Sequence, residues 1–358
     1  MNLKGKLKEL RYSLRNIRQL EEETSLLKDE VILLKNELRS EKLRNDRLER
    51  HLREQERLIR YNYYSLLTPE QYPAELEKLY YTMTKKRLDL ENPRTFNEKI
   101  QWFKLFGVTS QTRELADKYR VRSFVSSRIG KDYLIPLLGV WNHPEEIDFS
   151  SLPEKFVIKA NHGSQYNYIV HDKTAMDVDD FIRTANKWLA EDFAFRTLEL
   201  QYHGIQRCLL AEELLENDNG EDIYDYKFLC FDGTPEYFWV DVDRYGDHRR
   251  NIYDMDGNLQ NWTLGYENTN TVIQRPDKWN EMVDVAKKLS KGFPHVRVDL
   301  YYAKGKVYFG ELTFTSSSGF TQFTPPDADY KLGALWDIQN YKYTEPSYQS
   351  DVCNVIES

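Results

Sequence analysis

The stretch Val296 to Phe320, VRVDLYYAKGKVYFGELTFTSSSGF, decides how the rest of the chain is read. It predicts two β-strands joined by a tight turn, each carrying a carboxylate where a core-facing strand would be apolar. Period two places Arg297, Asp299 and Tyr301 on one face and Val296, Val298 and Leu300 on the other. On the return strand Val307, Phe309, Glu311 and Thr313 share a face. A three-residue turn Lys304-Gly305-Lys306 sets Ala303 opposite Val307, Asp299 opposite Glu311 and Arg297 opposite Thr313. A two-residue turn would send the two carboxylates to opposite faces. Like charges facing each other across a sheet call for something positive between them. A hard cation with oxygen ligands, Mg²⁺ carrying nucleotide phosphates, satisfies this, and a solvent-facing hairpin is the alternative.

Working outward, the first 60 residues differ in kind from the remainder. They hold no proline and many Lys, Arg and Glu. Steps of seven from Ile17 reach Thr24, Val31, Leu38, Asn45, Leu52 and Ile59. Three residues beyond each lie Leu20, Leu27, Leu34, Glu41, Leu48 and Gln55. This is an a/d heptad pattern of about six repeats, expected to form a coiled coil about 80–90 Å long. Asn45 at an a position favours a parallel dimer in one register, while Glu41 and Gln55 at d weaken the seam. A long amphipathic helix folded back on the domain is the other reading.

Tyr61 to Pro73 reads as a linker marked by Pro69 and Pro73. Ala74 to Phe106 reads as helical, with a break at Asn92-Pro93 and a capping box formed by Thr95 and Glu98. Phe156–Ala160 and Tyr168–Val170 read as strands flanking the turn Asn161-His162-Gly163-Ser164. Further strands are expected at Cys208–Leu215, Tyr226–Phe231 and Tyr237–Val242, and helices at Phe181–Phe195 and Trp279–Lys291. The fold class is therefore α+β with an antiparallel-rich sheet.

Lys159 ends a hydrophobic strand beside a glycine turn, where a lysine reaches phosphate oxygens and backbone N–H groups cradle them. An ordinary hairpin with a surface lysine is equally consistent. Glu212 and Glu213 form an acidic pair inside an apolar run, needing polar partners or an edge strand facing water. Asp225-Tyr226-Lys227 offers another acid and base. His248-Arg249-Arg250-Asn251 reads as a second anion site or a solvated loop.

Composition narrows the options. A net charge of −8 and a pI near 5.6 argue against a nucleic-acid footprint. Cys208, Cys230 and Cys353 lack metal-ligand spacing, so neither a zinc site nor a disulfide framework is expected. The N-terminus has no apolar signal core and no run approaches a spanning helix, which predicts a cytoplasmic protein.

In order along the chain, several runs together resemble the TupA-like ATP-grasp family linked to bacterial capsule and teichuronopeptide synthesis. They are Asn92 to Trp102, Tyr133 to Trp141, Asn161 to Ser164, Asp225 to Phe228, His248 to Asn251 and Phe309 to Phe314. The resemblance covers roughly residues 75–337. It implies an ATP-grasp fold with subdomains at 115–207 and 208–337, a helical region at 61–114 before them, the coiled coil at 1–60 and a tail at 338–358.

By that resemblance Lys118 and Lys159 would contact the α- and β-phosphates of ATP, and Gly163 and Ser164 would close over the γ-phosphate. Glu212, Glu213, Leu214 and Leu215 would read adenine, Asp225 the ribose hydroxyls, and Lys227 would join the nucleotide-binding set. Asp299, Glu311 and Thr313 would hold Mg²⁺, with Arg297 facing the reacting carboxyl and phosphoryl oxygens. Thr313 stands where ATP-grasp enzymes in general carry Asn, though the TupA-like group itself resembles this chain in carrying Thr. Gln165 stands where a further glycine is expected, and Ser316-Ser317-Ser318-Gly319 where a Pro-Gly turn is expected.

The implied activity is carboxylate–amine ligation through an acylphosphate. It would join an amino acid or amine to a uronic acid of a surface polysaccharide or its precursor, with capsule-assembly proteins as further partners. Acceptor choice would fall to the loops Asp243–Arg250 and Asn261–Thr271. The rivals are a glycosyltransferase using Asp241-Val242-Asp243, a kinase on the same scaffold, and a non-catalytic ATP-binding scaffold on a dimerising rod.

Overall fold

The computed structural model describes residues 3–217, 223–242, 248–269, 273 and 275–338, with side chains of the first helix described mainly from Leu26 onward. Cys353, Asp243, nearly all of the expected tail, the side chains of Ile17, Leu20 and Thr24, and parts of the two expected acceptor loops lie outside the described residues. The chain falls into two units, residues 1–60 and residue 61 onward.

The first unit is almost all of α1 (Leu3–Tyr64), a helix of 62 residues built from strong helix formers. Its heptad positions Leu27, Val31, Leu34, Leu38, Leu48, Leu52 and Ile59 are exposed in the single chain. The expected linker at 61–73 is instead ordered structure of the second unit. The helix continues to Tyr64, whose ring is buried, and the Tyr61 hydroxyl accepts from the Asp192 backbone N–H at 3.1 Å. Two aromatic rings with core to cover hold this backbone in place. Pro69 then opens a short 3₁₀ turn, where its missing N–H costs nothing.

Next come α2 (Tyr72–Thr84) and α3 (Phe96–Trp102). The expected capping box is present: Thr95 Oγ1 accepts from Glu98 N at 3.1 Å, and Glu98 Oε2 accepts from Thr95 N at 2.9 Å. After α4 (Ser110–Ala116) and α5 (Val121–Ile129), strands β1 (Leu137–Trp141), β2 (Phe156–Ala160) and β3 (Asn167–Val170) precede α6 (Val178–Ala190). Helix α6 stops five residues short of the expected Phe195, where Asp192 caps a separate 3₁₀ turn.

Strand β4 (Leu209–Glu213) pairs antiparallel with both β1 and β2, giving a sheet of order β1-β4-β2-β3. It therefore belongs to the first sheet, beyond the boundary expected at 208, and it is an interior strand rather than an edge facing water. Phe181 and Ala185 of α6 pack on Phe156 and Ile158 of this sheet.

The second sheet contains β5 (Asp225–Phe231), β6 (Thr234–Val242), β7 (Arg249–Asp254), β9 (His295–Ala303) and β10 (Lys306–Thr313). Between β7 and β9 lie the two-residue β8 (Thr263–Leu264) and α7 (Trp279–Ser290). The strand order is β10-β9-β5-β6-β7, antiparallel throughout. Met282, Val285 and Leu289 of α7 share a core with Val296, Val298 and Leu300, so the apolar face of β9 points inward as its alternation predicts. The chain closes with β11 (Phe323–Thr324), paired to β8, and α8 (Asp327–Leu335) against α3. Among the described residues no helix is long and apolar enough to cross a membrane.

The β9–β10 turn differs from the expected one. Ala303 pairs with Lys306, leaving a two-residue turn in which Lys304 has φ 50° and Gly305 φ 71°, the left-handed pair that matches strand twist. Such a turn alone would separate Asp299 and Glu311. A bulge at Gly310 restores them: Phe309 pairs with Leu300, Gly310 is the extra residue, and Glu311 pairs with Asp299. A Cβ at Gly310 would lie 3.0 Å from the Asp299 carbonyl oxygen and 2.9 Å from the Tyr301 ring, so glycine suits the close approach.

Candidate active site

A cleft of 570 Å³ is lined by side chains from both sheets. From the second sheet come Asp225, Lys227, Asp241, Arg250, Arg297, Tyr301 and Glu311. From the first come Lys159, Leu210 and Glu212, with Lys118, Arg122, Ser164 and Gln165 from the adjoining segments. The sheet register explains the floor. Lys227 pairs with Asp299, which pairs with Glu311, so three charges lie in one row across β5, β9 and β10.

Arg297 organises this row. Its Nε and Nη2 donate to Asp299 Oδ1 and Oδ2, both at 2.6 Å, and Nη2 also reaches Glu311 Oε1 at 3.1 Å and Thr313 Oγ1 at 3.0 Å. The guanidinium lies 5.6 Å above the Trp239 ring. Lys227 donates to Asp225 and, at 2.9 Å, to Asp299 Oδ2. Burial opposes the charge on Lys227, yet Asp225 and Asp299 outweigh it and hold its pKa above the usual lysine value. The positive charge that the paired carboxylates call for is thus supplied by Arg297 and Lys227. Asp225, expected at a ribose, is engaged by Lys227.

Glu311 is the carboxylate that faces the cleft, its side chain 38 % exposed against 1 % for Asp299. Burial would raise the Glu311 carboxyl, but Lys118, Arg297 and Lys227 outweigh that and hold it down to about 2. A carboxylate whose folded pKa lies below its unfolded value contributes stability that is present above about pH 4.5 and lost as the pH falls toward 2. Urea unfolding of the wild type and Glu311→Gln should therefore differ more at pH 5 than at pH 2.5. An equal difference at both would show that the cationic surroundings are not acting on this group.

Mg²⁺ fits this donor set only in part. Glu311 offers a hard oxygen at the cleft, and Arg297 reaches one of its oxygens and the Thr313 hydroxyl, while both oxygens of Asp299 are engaged by Arg297 and Lys227. Among the described residues no three or more His, Cys, Asp or Glu side chains gather tightly enough to hold a metal ion. An ion here would complete its shell with phosphate oxygens and water, as Mg²⁺ commonly does.

The opposite wall carries the cations. Lys159 Nζ donates to Glu212 Oε2 at 2.7 Å, and Arg122 Nη1 donates to Glu212 Oε1 at 2.6 Å. Glu212 therefore holds two cations at the cleft wall. Lys118 Nζ donates to the Gly163 carbonyl. Burial lowers the Lys118 pKa, with Lys159 adding to the effect against the pull of Glu311.

Asn161 and His162 anchor the glycine turn from below. Asn161 Oδ1 accepts from Cys208 N at 2.8 Å, and His162 Nε2 lies 3.0 and 3.1 Å from the carbonyls of Trp188 and Glu191. Burial pushes His162 down to about 4, and the two carbonyls beside Nε2 favour the tautomer that carries its proton there. Gly163 has φ 149°, and Gln165, where glycine was expected, holds the left-handed φ 65°. Ser164 and Gln165 are exposed at the cleft rim.

A second cavity of 490 Å³ adjoins the cleft, sharing Lys159, Asn167, Asp241 and Tyr301 with it. Its other lining is largely apolar, including Ile135, Val157, Ile169, Leu214 and Leu215, with Glu213 and His171 among the polar residues.

Two features singled out in the sequence have partners that it did not show. The run His248–Asn251 is largely strand β7, and Arg250 donates from Nε to Asp241 Oδ1 at 2.6 Å, its paired residue across the sheet. Arg250 also lies 5.0 Å from the Tyr266 ring. Cross-strand pairing is invisible without the register. The second feature is the turn Ser316–Gly319, in which Ser317 and Ser318 have φ 51° and 52° and Ser317 lines the cleft. It is gripped from α3 and the segment after it. Gln101 Nε2 donates to the carbonyls of Ser318 and Gly319, each at 2.9 Å, and buried Lys104 donates to Ser318 O and Oγ, each at 2.8 Å. Burial pushes Lys104 down to about 7.

The profile of the TupA-like ATPgrasp family matches residues 98–337, two-thirds of the chain. The chain belongs to that family. Among solved structures the ATP-grasp chain is similar to D-alanine–D-alanine ligase from Bacillus anthracis, with 16% identity and a TM-score of 0.38, covering 62% of this chain and 64% of that one. It is also similar to a D-cycloserine synthetase, at 14% identity and TM-score 0.36, covering 62% and 69%. An N5-carboxyaminoimidazole synthetase from Staphylococcus aureus complexed with ADP gives 13%, 0.30, 56% and 43%. The chain thus spans slightly less than two thirds of the Bacillus anthracis ligase. No curated protein matches it.

Proposed function

We propose that this ATP-grasp chain is an ATP-dependent carboxylate–amine ligase, joining an amine or amino acid to a sugar acid. The observation that carries this reading is the cleft that Arg297 and Glu311 line together with Lys118 and Lys159, with Thr313 bonded to both Arg297 and Glu311. In this reading adenine occupies the apolar 490 Å³ cavity beside Leu214 and Leu215, and the phosphates extend past Lys159 and Lys118 beneath the Gly163–Gln165 turn. Lys118 and Lys159 bind phosphate through their amino groups, and the backbone of the glycine turn closes over it.

A substrate carboxylate oxygen attacks the γ-phosphorus, the bond to the β–γ bridging oxygen breaks, and ADP leaves. The amine nitrogen then attacks the acyl carbon, the acyl–oxygen bond breaks with its electrons passing to the departing inorganic phosphate, and that phosphate takes up the proton the nitrogen loses. Arg297 orients the carboxylate and stabilises charge on the phosphoryl oxygens. Glu311 and Thr313, joined by Asp299 if it releases one of its cations, would hold Mg²⁺, which supplies charge neutralisation on the phosphates when bound. Closure of the Ser164–Gln165 rim excludes water from the acylphosphate. Arg250, which lines the cleft while bonded to Asp241, gives an acidic substrate a guanidinium partner. Together with the family's link to capsule and teichuronopeptide synthesis, this supports a uronic acid of a bacterial surface polysaccharide or its precursor.

The test is ATP consumption with Mg²⁺ against glucuronate or galacturonate and a panel of amino acids, with mass spectrometry of the products. The wild type should release ADP and phosphate and form an amide. Glu311→Gln should lose about 100-fold or more in turnover while remaining folded. A phosphorylated sugar without an amide would make the protein a kinase, and unchanged turnover in Glu311→Gln would remove Glu311 from the site.

A further inference from the structure

The first unit carries a surface that its own chain leaves open. On α1, Val31, Leu38 and Leu52 at a positions are 47%, 70% and 61% exposed, and Leu34 and Leu48 at d are 57% and 53% exposed. A stripe of this width, sustained at a seven-residue repeat, is covered by another helix of the same repeat. Charge complementarity then selects the occupant. In a parallel pair each g residue faces the e residue five positions later on the other helix.

With Val31 and Leu38 at a, the g residues are Glu30, Glu37 and Arg44, and the e residues are Lys35, Lys42 and Glu49. In register with a second copy, Glu30 faces the partner's Lys35, Glu37 faces the partner's Lys42, and Arg44 faces the partner's Glu49. Every pair is of opposite sign, and the pattern reverses its polarity between the second and third pairs without losing complementarity. All six side chains are exposed on the single helix.

The core positions agree with the charges. In the same register Asn45 meets the partner's Asn45, so each amide finds a donor and an acceptor in the seam. An antiparallel pair that crosses with Lys42 beside the partner's Lys42 brings Arg44 against the partner's Arg44. It also sets Asn45 opposite the partner's Glu41. Like charges then meet at the centre and a carboxylate lies against the seam.

We infer that α1 forms a parallel, in-register two-stranded coiled coil with a second copy of this chain, its register set by the Glu30, Glu37 and Arg44 pairs and by Asn45.

Sedimentation of the full chain should give twice the 42.7 kDa chain mass at micromolar concentration. Glu30→Lys with Glu37→Lys, which sets lysine against lysine, should raise the dimer dissociation constant at least tenfold. So should Lys35→Glu with Lys42→Glu, which sets acid against acid. An equimolar mixture of these two variants should recover a dimer that neither forms alone. Orientation is read separately: Val31→Cys in a Cys353→Ser background should oxidise to a covalent dimer, because a positions meet only in the parallel register. A monomer, a trimer or larger assembly, a mixture that stays monomeric, or an absent Val31→Cys crosslink would each overturn the proposal. Helical content by circular dichroism distinguishes lost pairing from lost expression of the folded chain. ATP turnover is measured on the same samples, so failure of the dimer and failure of the ligase reading are seen apart.

Discussion

Arg297→Ala is expected to abolish ATP turnover and to destabilise the second unit by about 3–5 kcal/mol, the scale for removing one partner of a buried ion pair. The guanidinium is 10% exposed and Asp299 1%. Its loss removes both 2.6 Å bonds to Asp299 and leaves that carboxylate with Lys227 alone. It also takes away the charge between Asp299 and Glu311, which the Gly310 bulge places opposite each other. Arg297→Lys should restore part of the stability and little of the turnover, since an ammonium cannot reproduce the two-pronged contact. Urea unfolding and ATP consumption measured on the same preparations check both parts. Turnover retained in Arg297→Ala would remove this residue from the chemistry, whatever its effect on stability.

Gly333→Ala lies far from the chemistry and should still be severe. A Cβ at this position would sit 2.1 Å from the Arg94 carbonyl oxygen, 2.8 Å from the Thr95 carbonyl carbon and 2.9 Å from the Phe96 nitrogen. All three are backbone atoms, so no rotamer change relieves the overlap and α8 must move off α3. That movement disturbs Lys99, which donates to the Gly333 carbonyl at 2.7 Å, and Asn97, whose N–H donates to Asp329 Oδ1 at 2.9 Å. A loss of about 3 kcal/mol, seen as a melting point lower by roughly 6–12 °C, is the expected result. A melting point within 1 °C or so of the wild type, about the scale of a neutral surface change, would mean the two helices are not in this close contact.

The run Asn92 to Trp102 shows how a sequence signal differs from its physical role. In the sequence it marks the family and supplies a capping box. In the fold its polar residues act at long range: Asn97 and Lys99 tie down α8, and Gln101 holds the left-handed serine turn at the cleft. Nothing in the spacing of Asn97, Lys99 and Gln101 points to partners more than 200 residues away. Strands β1 and β7 were likewise unread, because their residues are polar or only partly buried and carry little alternation. Glu212 looked like an unexplained acid in an apolar run, and its explanation, Arg122 and Lys159, comes from two other elements.

The sequence by itself determined the long helix with its seven-residue stripe, the antiparallel α+β character, and the face of β9 that carries Arg297, Asp299 and Tyr301. These follow from periods of 3.5 and 2, which are properties of neighbouring residues and need no partner to be legible. Only the tertiary structure decided which residues meet. The two-residue turn and the Gly310 bulge compensate each other, so the correct pairing of Asp299 with Glu311 was reached through a turn one residue too long. Lys227 neutralises Asp299 from a strand 72 residues earlier in the chain. Register is set by pairing between distant strands, and a shift of one residue exchanges the two faces of a strand, so no local pattern could have fixed the charges on the cleft floor.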